Sequence, residues 1–266
     1  MATHEQSGGA YGEVTIGGGD TAQPINLAAR LALIQRHIPL AGRKLIDCGC
    51  GSGGYVLELL KLGCDAWGVE SNEGKVQHFK LSAKEPDRVK PGDLERIKFG
   101  DGTFDVALLN EVLEHVPHDQ KALAEICRIL KPGGTLVVFS PNRLYPFETH
   151  GVSWKSSGRR VLPYRTLFVP YLPVRLGKRF LDYHARNYFP SELKRMVCNA
   201  GFEVIYRTYM WQTFENISGT QPKLIRVLSP LLRQVSFTFE RIPLLRAFGV
   251  SQVIFAKKRC GSKQTS

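Results

Sequence analysis

No stretch of 18 or more consecutive apolar residues occurs in the chain, so none of it reads as a membrane-spanning helix. The opening residues, MATHEQSGGAYGE, lack a basic segment followed by an apolar one, and no signal peptide is expected. CxxC pairs are absent as well. The six cysteines, at 48, 50, 64, 127, 198 and 260, are scattered, and four stand in apolar or strand-like stretches. That usage indicates reduced, buried thiols and a cytoplasmic setting. Acidic residues are scarce in the second half. Residues 143–189 hold nine Lys and Arg against two Asp and Glu, and residues 207–266 hold ten against two, whereas residues 1–142 hold 15 against 18. The net charge of +12 therefore resides beyond residue 142. Such a field suits an anionic partner (a phosphate-bearing substrate, nucleic acid or a membrane surface), unless it is merely a solvated face.

The 266 residues are enough for one large domain, or one domain with an elaborated cap, and 43% hydrophobic content is ordinary for a chain with a packed core. The pattern is organised around Lys44–Gly54, KLIDCGCGSGG. Leu45 and Ile46 end a short buried strand, Gly49, Gly51 and Gly53 make a G-x-G-x-G turn, and YVLELLKL from Tyr55 begins a helix. Strand, glycine turn and helix let the backbone approach a nucleotide-like ligand closely, because glycine has no Cβ. Glu70 ends the next strand, 17 to 21 positions after the glycines, where a carboxylate can accept two hydrogen bonds from a ribose diol.

Strands and helices then alternate. A helix is expected at 24–40, a helix at 72–83, a weak third strand at 88–90, a strand at 104–109, a helix at 120–130 stopped by Lys131-Pro-Gly-Gly134, and a strand at 135–140. This predicts an α/β fold with a doubly wound, mostly parallel sheet. Five segments are expected: a flexible arm at 1–22, which includes Tyr11, a cofactor-binding core at 23–142, a basic aromatic cap at 143–189, a C-terminal part of the core with a helical insertion at 190–259, and a tail at 260–266. The cap carries Glu148-Thr-His150, with His184 as a further histidine. Its aromatics (Tyr145, Phe147, Trp154, Tyr164, Phe168 and Tyr171) are expected to wall an apolar pocket. A helix over 190–200 is expected to be capped by Ser191, and helical character over 224–248 to be broken at Pro230 and Pro243.

The ordered set IDCGCGSGG, Glu70, GDLERIKFGDGTFDVALLNEVLEHV, LKPGGTLVVFSPN and YFPSELKRMVCNAGFEV resembles the class I S-adenosylmethionine-dependent methyltransferases, type 11 and ubiquinone-biosynthesis O-methyltransferases in particular. The resemblance covers about residues 40–142 and 188–209. It implies a seven-stranded, Rossmann-like sheet whose last strand is antiparallel. It also implies that S-adenosyl-L-methionine lies over Gly49, Gly51 and Gly53, with Asp47 at its amino group and Glu70 at its ribose. Asp93 and Leu94 would read the adenine edge, and Asn110 would line the methionine pocket.

Methyl transfer to a hydroxyl needs the acceptor's proton removed, by a histidine or by a metal that acidifies the hydroxyl. After the fourth strand comes Glu111-Val-Leu-Glu114-His115, which places two carboxylates and an imidazole on one face if a helix begins there. Glu111, Glu114 and His115, with His150 as a fourth ligand, would suit Mg²⁺, Mn²⁺ or Zn²⁺; His115 and His150 are the catalytic candidates. The leading expectation is O-methylation of a small or lipid-linked acceptor, a sugar hydroxyl or a quinol-like phenol. The Leu231–Phe248 stretch offers a peripheral contact with an anionic membrane. The alternatives are an RNA 2′-O-methyltransferase, although no RNA-binding module is visible, and a non-catalytic cofactor-binding protein.

Overall fold

In β1 (Lys44–Cys48) successive side chains go to opposite sides, Leu45 into one hydrophobic cluster and Ile46 and Cys48 into the other. A strand buried on both faces needs parallel neighbours covered by helices on each side. The computed structural model, which describes residues 25–161, 165–213 and 227–259, meets that requirement. On one side of the sheet α1 (Ile25–His37), α2 (Gly54–Lys61) and α3 (Glu73–Ser82) deliver Leu27, Leu31, Ile34, Val56, Leu59 and Phe79. On the other, α4 (Asp119–Ile129) and α6 (Pro190–Asn199) deliver Leu123, Ile126, Leu193 and Val197.

The seven strands run in the order β3 (Val89–Pro91), β2 (Asp65–Glu70), β1, β4 (Phe104–Asn110), β5 (Leu130–Pro141), β9 (Ser251–Lys258), β8 (Phe202–Met210). β9 is antiparallel to both of its neighbours, and the pairings from β3 to β5 are parallel. The expected doubly wound sheet is present, and even the weakly marked third strand pairs with β2 over three residues. Its carboxyl edge gathers the ends of β1, β2 and β4, so Asp47, Glu70 and Asn110 come from adjacent strands.

Two local expectations change. Lys131–Gly134 is not a turn after a helix but part of β5: the register jumps from Phe104 opposite Leu130 to Val106 opposite Thr135, so these residues bulge from a continuing strand. Ser191 does not cap α6, which starts at Pro190 with the Phe189 N–H donating to the Glu192 carboxylate at 3.4 Å. The interruptions expected at Pro230 and Pro243 are present: Val227 is helical, Leu228 is a turn, and α7 (Ser229–Arg241) starts with Pro230 in its first turn, where its missing N–H costs nothing, and ends ahead of Pro243. The residues after β5 form an antiparallel pair, β6 (Val152–Trp154) with β7 (Leu181–Tyr183), around a small cluster of Val152, Val161 and Leu181, and a short helix α5 (Val174–Gly177). The expected arm with Tyr11, and Tyr164, fall outside the described residues.

The glycines of the turn have different duties. Gly53 (φ +79°) packs so tightly that an added Cβ would lie 2.3 Å from the Phe79 ring, whereas at Gly51 (φ +56°) it would meet nothing within 4 Å. Gly53→Ala is expected to cost about 3 kcal/mol, from a left-handed backbone plus overpacking, and Gly51→Ala about 1 kcal/mol. Urea denaturation of the two variants checks this; equal losses would contradict the division of duties.

Candidate active site

The turn after β1 is fixed by its neighbour: the Gly49 and Cys50 N–H groups both donate to the Val69 carbonyl, at 2.8 and 3.0 Å. Glu70, buried at the end of β2, accepts from the Gly51 N–H at 2.8 Å and the Asn72 N–H at 2.9 Å. The residue expected to grip a diol thus also holds the turn; its Oε1 takes a second donor, Ser71 Oγ, at 3.4 Å, while Oε2 keeps a lone pair for a ligand. Asp47 is buried as well, and its Oδ1 has no hydrogen-bond partner. Burial, reinforced by the Glu70 charge, pushes the Asp47 carboxyl up to about 7. An orphaned buried acid beside a turn whose central glycine faces open space fits a ligand with an ammonium group and a nucleoside. Asp93 is exposed and accepts from the Glu95 N–H, while Leu94 is buried; both follow the edge strand β3. The Cys48 and Cys50 thiols are buried and pushed upward, as the cysteine usage suggested.

At the end of β4 the chain turns sharply, with Glu111 at φ +56°, and only Leu113–His115 form a single helical turn. Glu111, Glu114 and His115 therefore do not share a helix face as expected. Glu111 instead points to Arg30, whose guanidinium is buried, donates to Glu111 Oε1 at 2.8 Å and Ser251 Oγ at 3.1 Å, and also reaches Asn110 Oδ1. Asn110, expected at the cofactor, is oriented by this contact. Burial alone would raise the Glu111 carboxyl, but the charge of Arg30 and the hydrogen bonds from Ser251 and Arg30 hold it below its usual range. Glu114 has no such cation. Burial and the neighbouring Glu111 charge push it well up.

The histidines converge on Glu114 from two elements. His150, buried in the cap, places Nε2 3.1 Å from Glu114 Oε1 and 3.9 Å from Glu111 Oε2, while its Nδ1 lies 3.2 Å from Thr149 Oγ1. Both Glu114 oxygens are buried without a hydrogen-bond partner. Ligand atoms of Glu114, His115 and His150 all lie within 4.8 Å of one another. The His115 ring N–H donates to the His184 carbonyl, which orients its other nitrogen. Burial lowers both histidines and keeps them neutral, as a ligand or a base must be. One carboxylate and two imidazoles can hold a divalent cation, a set better suited to Zn²⁺ or Mn²⁺ than to Mg²⁺.

Beside this cluster is a cavity of ≈ 410 Å³ lined by Glu114 and His115, by the apolar Val169, Leu172 and Val174, and by charged groups that include Arg143, Lys178 and Arg186. The expected aromatic wall is not what is found. Trp154, Phe168 and Tyr171 are exposed, and Tyr145 packs with Phe147 and Trp211. His184 lines the cavity, but its ring is turned to Ser153 Oγ at 2.9 Å. A larger groove of ≈ 650 Å³ runs between α6 and β8, away from all these groups, and we attach no chemistry to it. Arg30 and Ser251 escaped the sequence reading. The one signal was a charge on the apolar stripe Leu27, Leu31, Ile34 of α1.

A family model for the methyltransferase domain matches residues 46–138. The ubiquinone biosynthesis O-methyltransferase of Nitrosococcus oceani is 30% identical over 181 residues, covering 66% of this chain and 70% of that protein. The protein of the same name from Methylococcus capsulatus is 36% identical over 128 residues, covering 43% of this chain and half of that protein. Among solved structures, an S-adenosylmethionine-dependent methyltransferase from Mesorhizobium loti superposes with a TM-score of 0.57 at 16% identity, covering 86% of this chain and 97% of that one; at that identity the likeness speaks for the fold alone.

The Asp47 carboxyl carries a pH signature. Its folded value, about 7, lies above the ordinary 3.8, so the folded protein holds a proton that the unfolded chain releases, and stability falls as pH rises through that interval. Asp47→Asn removes this loss. Between about pH 4 and pH 8 the wild type is expected to lose on the order of 3 kcal/mol relative to the variant. Urea midpoints at the two pH values check it, and parallel profiles would contradict it.

Proposed function

The chain belongs to the class I S-adenosylmethionine-dependent methyltransferases, and from that premise we propose that it methylates an oxygen of a phenolic, quinol-like or sugar acceptor, small or lipid-linked. The observation that carries this reading is the convergence of Glu114, His115 and His150 just beyond the carboxyl end of β4, beside a cavity that Glu114 and His115 line. A nitrogen acceptor with a free lone pair needs little help with protons, whereas a hydroxyl needs a place for its proton. The names of the two relatives point the same way.

When bound, the cofactor supplies a sulfonium-activated methyl, so the protein's work is positioning and proton management. Gly51 leaves room above the turn. Asp47 would meet the ammonium group, Glu70 the ribose hydroxyls, and Asp93 and Leu94 the adenine side, while Asn110 would border the methionine part. His150, neutral and buried, accepts the acceptor's hydroxyl proton at Nε2 as that oxygen's lone pair turns to the methyl carbon. Glu111, kept ionised by Arg30, stabilises the imidazolium that results. Glu114 and His115 are the residues that would hold a divalent cation, with Glu111 beside them, because the single lone pair of a neutral His150 serves the proton. Such a cation would acidify the acceptor hydroxyl.

Transfer of labelled methyl to catechol-type, quinol-type and sugar acceptors, with the product's methylated atom assigned by NMR, tests the reading; methyl on nitrogen or carbon would overturn it. His150→Ala is expected to lower kcat by about 100-fold with little change in cofactor affinity. Glu70→Ala is expected to weaken cofactor binding by about tenfold or more in calorimetry. Chelation is expected to abolish turnover, with Zn²⁺ or Mn²⁺ restoring it. Full activity in chelator and in Glu114→Ala would remove the cation from the account.

A further inference from the structure

We infer that residues 167–180 form a docking face for an anionic lipid bilayer and that the acceptor cavity opens within this face; the second clause rests on the acceptor reading above. Phe168 is 59% exposed, Phe180 60%, Leu167 48% and Leu176 45%, all within fourteen residues. Tyr171 stacks on Phe168 with ring centroids 5.9 Å apart, and Trp154 stands exposed on β6, whose next residue, Lys155, donates its N–H to the Phe180 carbonyl. Contiguous exposed apolar groups of this extent mark an interaction surface.

Charge identifies the occupant. Arg175, Lys178 and Arg179 are exposed among the apolar residues, and no acid occurs between Glu148 and Asp182. Aromatic and aliphatic tips with cations interleaved suit the boundary of a bilayer: the tips enter the acyl region and the long cationic stems reach up to lipid phosphates. A protein partner would require matching acids and a shaped groove, whereas this is a series of projecting tips.

The backbone holds the tips outward. Phe168 sits at φ +64°, unfavourable for a bulky residue, with its N–H donating to the Pro146 carbonyl at 2.6 Å. Arg143 donates to the Pro170 and Leu172 carbonyls at 2.8 and 2.9 Å and so pins the segment to the base of the cap. Leu172, Val174 and Lys178 belong both to this face and to the cavity that reaches Glu114 and His115. An acceptor with a lipid tail would thus enter from the bilayer without crossing water. The other apolar face, with Leu231 and Leu244 exposed, contributes nothing to the cavity lining.

The full chain, without cofactor or acceptor, is to be floated with phosphatidylglycerol/phosphatidylcholine vesicles and with pure phosphatidylcholine vesicles. Binding is expected only to the anionic vesicles. It should fall by about tenfold or more in Phe168→Ser/Phe180→Ser and in Arg175→Glu/Arg179→Glu, and persist in Leu231→Ser/Leu244→Ser. Circular dichroism confirms that each variant is folded. Equal binding to both vesicle types, no binding, or binding lost only in the Leu231/Leu244 variant would overturn the inference. Because flotation involves no methyl transfer, failure here is separable from failure of the proposed reaction. A further arm reads methyl transfer to a water-soluble acceptor, which both cap variants should leave unchanged.

Discussion

A single buried guanidinium decides the electrostatics of this site. Arg30 gives one of two neighbouring carboxyls a permanent counter-charge, so Glu111 keeps its negative charge and Glu114, pressed against that charge in a dry environment, does not readily take one of its own. Two chemically identical groups three residues apart thereby acquire opposite characters. The same guanidinium touches β4 through Asn110 and Glu111 and β9 through Ser251, and lies 4.9 Å from the centre of the Phe139 ring of β5. Helix α1, three strands and the Glu111–Glu114 pair are therefore mutually dependent.

The site divides between two kinds of architecture. On one side is a rigid cradle made of backbone, in which the glycine turn, its bonds to β2 and the Glu70 carboxylate all belong to adjacent parallel strands. On the other is a covering of irregular chain, whose Glu148 organises its own surroundings by accepting from the His150 N–H and the Asn187 side chain. His150 belongs to the covering and Glu114 to the scaffold. The Glu114–His150 contact thus exists only where the two meet.

The cradle was legible because its causes are local. Gly49, Gly51 and Gly53 must adopt positive φ within one turn, and Glu70 follows at a spacing fixed by one helix and one strand. The sheet was legible for the same reason: Phe104–Leu109 and Thr135–Ser140 can only be buried strands. What the sequence hid is non-local. Arg30 and Glu111 are 81 positions apart, and nothing in either neighbourhood announces the other. The positive φ of Glu111, which took it off the expected helix face, is imposed by that distant partner and by the exit from β4. The cap misled differently. Its aromatics suggest a buried wall, but composition alone cannot tell an aromatic that turns inward from one that turns out. In Phe168 a single backbone angle makes that choice.

The covering segment leaves and rejoins the scaffold at one point. Asn142 bridges to Tyr188, the Arg143 N–H donates to the Tyr188 carbonyl, and Gln252 of β9 donates to the carbonyls of both Pro141 and Tyr188. A loop whose ends are already stitched together behaves like a cassette. Its interior can lengthen, shorten or be replaced by graft at little closure entropy and without retuning the strands beneath. A lineage built on this plan can change what it modifies while keeping the same methyl donor.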